Sequence, residues 1–201
     1  MLVNIFESKE IMDAIKRSIE SYARPDDVPV IMQRINKTNL QSTMFINQIH
    51  DILKRYFTTK RTLAILVELS RRLKALIDID VKPRILEVSQ GESLPLVVTV
   101  TNNSGLATKF RITVEQENKD TPVIYDPKRN FDDFKREIEV LMDSPQSKSF
   151  KIIIKPEMIG IKDLQKLNKE GHIDFNVIIK VESLDVVGLK NESKALVGIF
   201  K

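Results

Sequence analysis

Apolar residues recur every three or four positions through the first part of the chain and every second position thereafter, and the switch falls at Ile77–Val81. Ile11, Ile15, Ile19 and Tyr22 follow at spacings of four, four and three, which is one stripe of a helix. The Arg24–Pro25 step and Pro29 end it, because proline disfavours helical geometry in the residue before it and clashes one turn back. A second helix is predicted over about 28–36. A third carries Met44 or Phe45, Ile49, Ile52, Leu53 and Tyr56 on one face. Thr58 and Thr59 offer an N-cap for a fourth over about 60–77, with Leu63, Leu66, Leu69, Leu73 and Leu76 along it.

Thr62–Val67 in that fourth helix reads TLAILV and is apolar all round, so cover on more than one side is expected. The middle helix of a small bundle would satisfy this. So would a homodimer seam, since Leu66, Leu69, Leu73 and Leu76 keep a three-four-three spacing.

From Asp78 onward the runs DIDVKPRILEV, LPLVVTVTN and ATKFRITVEQ alternate and are rich in β-branched residues. Turn residues at 90–92 and 102–105 separate them, which predicts a meander of three strands. Further strands are expected at 121–125, 137–142, 148–155, 172–182 and 194–200, with turns at Pro145, 163–171 and Gly188. Phe131, Phe134, Ile138 and Leu141 fit a helix, whereas Ile138, Val140 and Met142 fit a strand; a short helical entry followed by a strand is the expectation for 130–142. An acidic start at Asp163 and Gly171 beyond the end predict one or two helical turns between them.

Composition narrows the classes. The 201 residues are 42% apolar and 30% charged, near the averages of globular proteins, and no apolar run approaches the roughly 20 residues of a membrane-spanning helix. With no cysteine and two histidines, disulfides, thiolate metal sites, cysteine nucleophiles and multi-histidine cages are excluded. Glu7, Lys9, Glu10 and Asp13 interrupt any signal-peptide core, so a cytoplasmic location is expected. The sequons at Asn36, Asn102 and Asn191 are then chance matches.

Residues 1–80 hold 13 Lys and Arg against 10 Asp and Glu, and the remainder 19 against 18, so the positive excess sits in the helices. Within 50–77, Lys54, Arg55, Lys60, Arg61, Arg71, Arg72 and Lys74 face only Asp51 and Glu68. The first six are candidate phosphate contacts for nucleic acid. The alternative is a solvated face on which Asp51 pairs with Lys54 or Arg55, and Glu68 with Arg71 or Arg72.

Catalytic constellations are sparse. His50 and Asp51 are adjacent in a helix and do not share a face. His172 precedes Asp174 on one strand face, where a carboxylate can orient an imidazole. Asp126, Asp132 and Asp133 could offer oxygen ligands to a hard cation, but their spacing matches no calcium loop, and Lys128 and Arg129 stand between them. The six glycines form no phosphate-cradling loop. No catalytic residue, metal site or cofactor is assigned.

A proline-containing strand over Ile79–Val88, then Gly91-Glu92, then LVVTVTNNSG, and later a proline turn leading into FKIIIKP, a glycine and a long strand resemble the prokaryotic immunoglobulin-like modules of the CARDB and fibronectin kind. The resemblance covers about 78–201. It implies a β-sandwich used for adhesion, assembly or ligand presentation, with no catalytic residues to carry over.

The expected architecture is therefore α+β in two parts: a small helical bundle over 1–77 and an all-β immunoglobulin-like sandwich over 78–201. The expected function is a non-enzymatic interaction or assembly module, a homo-oligomer with a dimer favoured, self-associating through Leu66, Leu69, Leu73 and Leu76 and serving a further protein partner. The alternative is a nucleic-acid-associated protein using the basic helices of 50–77. A structural component of a particle or filament is a third reading.

Overall fold

The computed structural model describes residues 3–126 and 131–201, the side chains of 126, 131 and 132 excepted. Ser8 opens the first helix, α1 (Lys9–Glu20): its Oγ accepts the N–H of Ile11 at 2.9 Å, closing one of the donors that a helix start leaves open. Ile11, Ile15 and Ile19 are fully buried, while Tyr22, past the helix end, is exposed. In α2 (Asp27–Asn36) Pro29 lies in the first turn, where its missing N–H costs nothing. Phe45 rather than Met44 takes the inner position at the start of α3 (Phe45–Leu53). The fourth helix, α4 (Thr59–Lys74), stops short of the expected end because Ile77 already pairs with Asn102 in a strand. Both α1 and α3 pack on α2 and on α4. Among the described residues, no helix is long and apolar enough to cross a membrane.

The strands that follow are β1 (Ile77–Lys82), β2 (Ile85–Ser89), β3 (Leu94–Asn102), β4 (Thr108–Gln116), β5 (Ile124–Asp126), β6 (Phe131–Asp133), β7 (Lys135–Met142) and β8 (Gln146–Ile154). The fifth helix, α5 (Ile161–Glu170), leads to β9 (His172–Ser183) and β10 (Lys190–Phe200). One sheet runs β1-β3-β8-β5-β6 and the other β2-β10-β9-β4-β7. Two expectations are corrected here. The proline-containing run is two strands, since Pro83 has no N–H for a ladder and the chain leaves one sheet for the other around it. The three-strand meander does not form either: β3 pairs with β1 and β8, whereas β4 pairs with β7 and β9 in the opposite sheet.

Residues 131–142 contain no helix, a third correction. Ile138 stands opposite Ile112 and Val140 opposite Phe110, so pairing across the ladder overrides the three-and-four spacing of Phe134, Ile138 and Leu141. By contrast, α5 is longer than one or two turns; Gly171 ends it in the left-handed region at φ 80°.

With β1 and β2 dividing the first strand between two sheets, β3 and β8 lie in one and β4, β9 and β10 in the other, and among the described residues only β2 with β10 is parallel. That order is the arrangement of an immunoglobulin-like β-sandwich. Its inner layer is Val98, Val100, Phe110, Ile112, Val177, Ile179 and Val197, all fully buried and continuous with the buried residues of the helices.

The helices dock on one end of the sandwich. Ser8 Oγ donates to the carbonyl of Ser104 at 2.5 Å, Asn103 N to Leu76 O at 2.9 Å and Val187 N to Ser42 O at 3.1 Å. Buried Asn102 ties the loops of that end together. Its Nδ2 donates to the carbonyls of Leu106, Met142 and Asp143, and its Oδ1 accepts from Ser104 N and Oγ.

Candidate functional site

At 100° per residue, Ile65, Leu69 and Leu73 fall on the inner side of α4, and Lys60, Leu63, Val67, Arg71 and Lys74 within roughly an 80° arc on the outer side. The burial follows this division. Leu69 and Leu73 are 1% and 0% exposed, whereas Leu63 and Val67 are 53% and 71% exposed. The run TLAILV has α1 and α3 packed on its helix but keeps Leu63 and Val67 uncovered. One expectation changes: the leucine spacing that reads as a seam belongs to the core-facing side, with Leu66 and Leu76 only partly buried. A surface seam cannot include Leu69 and Leu73 while the chain keeps this fold.

The cations of this region divide into two groups. Arg71 donates from Nε and Nη2 to the two oxygens of Glu68 at 2.8 and 2.7 Å, and Arg72 Nε lies 2.8 Å from the same carboxylate. The Arg71 hydrogen bond, aided by the charges of Arg71 and Arg72, holds the Glu68 carboxyl below the ordinary glutamate range and raises Arg71. Lys54 Nζ is 3.8 Å from Asp51. Among the described residues, Arg55, Lys60, Arg61 and Lys74 have no carboxylate within 4.0 Å. Of the six candidate phosphate contacts, Arg55, Lys60 and Arg61 are therefore uncompensated, and Lys54, Arg71 and Arg72 are paired as on a solvated face.

Beside this stripe, where the end of α1 meets the α3–α4 turn, Tyr22, Tyr56, Phe57, Lys60, Arg61 and Ala64 line a cleft of about 520 Å³. Sequence reading placed both tyrosines on inner helical stripes; they lie beyond the last turns of α1 and α3 and stay exposed. The signal for the outward position of Leu63 and Val67 is the 3.6-residue period itself, which turns both away from Ile65, Leu69 and Leu73.

The other candidates separate. His50 Nδ1 is 3.8 Å from Asp51 and His172 Nε2 is 3.6 Å from Asp174, both beyond hydrogen-bond reach. The His172 ring stacks on Phe200, with centroids 5.9 Å apart. The side chains of Asp126 and Asp132 and all of Lys128 and Arg129 lie outside the described residues, and Asp133 Oδ1 accepts the N–H of Phe134 at 2.7 Å. Among the described residues, no three His, Asp or Glu converge to hold a metal ion.

Charges on the outer sheet face are answered locally. Lys109 and Arg111 meet Glu139, Arg111 also meets Glu182, Lys180 meets Glu115 and Lys194 meets Glu117. The other sheet presents hydroxyl pairs, Thr99 with Ser149 and Thr101 with Ser147.

No family model and no curated protein sequence matches the chain. Solved structures with a similar fold include the ASH/PapD-like domain 7 of human CEP192, at 12% identity and TM-score 0.36 over 64% of this chain and 87% of that one. Another is the CARDB domain of a Pyrococcus furiosus protein, in complex with di-metal ions, at 11% identity and TM-score 0.35 over 62% and 92%. A conjugative transposon lipoprotein from Bacteroides eggerthii aligns at 14% identity and TM-score 0.37 over 61% and 96%. The sandwich assignment rests on strand order and register and not on these distant likenesses.

Proposed function

We propose that the protein is a non-enzymatic interaction module that captures an acidic, amphipathic helical segment of another protein on the outer stripe of α4. The observation that carries this reading is an uncovered apolar centre, Leu63 and Val67, set between cations, Lys60 and Lys74, that no carboxylate among the described residues answers. Helix-in-groove recognition uses anchors at this spacing, and burying the two side chains contributes about 2–3 kcal/mol. A second copy of the chain fits less well, because it would bring the cations of one α4 toward those of the other. That argument turns the expected self-association into capture of a different protein.

The test is titration of a labelled helical peptide patterned in Glu and Leu, at two salt concentrations, with mass in solution measured in parallel. The wild type is expected to bind more tightly at low salt. Val67→Asp should weaken binding about tenfold or more at unchanged melting temperature, since the position is exposed. Lys60→Gln with Lys74→Gln should flatten the salt dependence. Binding indifferent to both changes overturns the reading. A dimer at every salt concentration that Val67→Asp dissociates restores self-association instead.

The cleft supports a second reading, single-stranded nucleic acid, because its exposed tyrosines offer stacking surfaces beside Lys60 and Arg61. Three uncompensated cations would give a log–log salt slope of roughly 2 for a generic single strand. Tyr22→Ala with Tyr56→Ala should then abolish that binding and leave the peptide unaffected.

A further inference from the structure

At the end of the sandwich opposite the docked helices, α5 stands on a rigid base. Its inner side buries Leu167 and Asp163. Asp163 Oδ2 accepts from Asn118 Nδ2 at 2.5 Å and Thr121 Oγ1 at 2.7 Å, and Asp120 Oδ2 accepts the Asp163 N–H at 2.9 Å, capping the helix start. Gly160 fits against Asp120 so closely that a Cβ there would lie 2.3 Å from the Asp120 carbonyl oxygen. The helix cannot roll to hide its outer side. Yet Ile161 is 78% exposed and Met158, in the turn leading into α5, is 74% exposed, with Leu164 half-exposed one turn on.

Lys162, Lys166 and Lys169 occupy roughly a 60° arc on the flank away from Leu164. Among the described residues, none has a carboxylate within 4.0 Å. Aliphatic side chains protruding at the start of a fixed short helix, with unanswered lysines on the flank next to Ile161, are the features of an interfacial anchor, in which apolar groups enter the acyl boundary and cations meet lipid phosphates.

We infer that the α5 end of the sandwich docks on an anionic lipid bilayer, inserting Met158 and Ile161 at the start of the helix and placing Lys162, Lys166 and Lys169 against the headgroups. The lysines supply the charge complementarity, and side chains that project from the end suit a deformable surface.

The test is co-sedimentation of the full chain with vesicles of phosphatidylcholine alone and of phosphatidylcholine with phosphatidylserine. Sedimentation is expected with the serine-containing vesicles, weakening as salt rises. Each Lys→Gln change at 162, 166 or 169 should reduce partitioning about fivefold. Ile161→Asp should abolish it at unchanged melting temperature. The chain contains no tryptophan, so Met158→Trp places a single reporter whose emission should shift to the blue on those vesicles. Lys60→Gln with Lys74→Gln is the control for α4 and should leave sedimentation unchanged. Absence of sedimentation, sedimentation insensitive to Ile161→Asp, loss through the α4 control, or an Ile161→Asp effect confined to dissociating a dimer would each overturn the proposal.

Discussion

The two ends of the sandwich solve the same problem in opposite ways. In immunoglobulin domains the loops between the second and third strands and between the last two strands share one end, where antibodies place their binding loops. Here that end is closed. Asn102 binds the 103–107 loop to the 143–145 turn, Ser8 and Ser42 bring helices onto Ser104 and Val187, and Leu106, Val186 and Leu189 are buried. At the other end, an equally well-bonded network around Asp163 supports a helix that turns Ile161 outward. Polar networks of similar quality thus seal one end and hold the other open, so the recognition surfaces to seek are the outer side of α4 and the end bearing α5.

Removing the helices should produce the largest effect and make the two ends alike. A fragment of 78–201 keeps the inner layer of both sheets and should retain strand-type circular dichroism. Exposing Leu106, Val186 and Leu189 should cost roughly 5 kcal/mol, so the fragment should melt far below the full chain. A disordered fragment would mean that helices and sandwich form one inseparable unit, and an unchanged melting temperature would mean that the helices seal nothing.

A single substitution at each end sharpens the contrast. Asn102→Ala leaves three carbonyls without their donor and should cost about 3 kcal/mol in urea unfolding. Asp163→Ala removes the acceptor of Asn118 and Thr121 and should cost about 2 kcal/mol, releasing α5 while the helices of the closed end stay docked. Equal losses of helical signal in both variants would contradict the independence of the ends.

Much of this was legible in the chain. The helical stripe Ile11, Ile15 and Ile19 is buried as its spacing requires, and the β9 and β10 runs alternate as their burial does. Sheet membership was not legible, because alternation states which side of a strand is buried and not which strand lies beside it; hence β3 and β4 read as neighbours. The Phe131–Leu141 region failed because three-and-four spacing and alternation share Ile138, and only the partner strand β4 decides. At α4 the apolar residues outnumber the core positions. Spacing alone cannot say which leucines face in, and the two left outside, Leu63 and Val67, are the informative ones.

The smallest effect concerns acid. On the sheet face, hydrogen bonds from Lys180 to Glu115, from Asn176 and then Lys194 to Glu117, and from Lys109 and then Arg111 to Glu139 hold these carboxyls below the ordinary range, as Arg71 does for Glu68 on α4. A carboxyl depressed by folding stabilises the native state above its unfolded pKa, and that contribution is lost as pH falls through the folded value. The melting temperature should therefore be level from neutral pH to about 5 and decline below about 4.3, the ordinary glutamate value. The decline should be shallow and reduced by salt, because the pairs are solvent-exposed. Glu115→Gln should flatten it slightly. Glu68→Gln should do the same while releasing Arg71 and Arg72, so that at neutral pH the variant binds the acidic peptide more tightly than the wild type. If Glu68→Gln leaves peptide binding unchanged, the pairing on α4 does not set the charge that the partner meets.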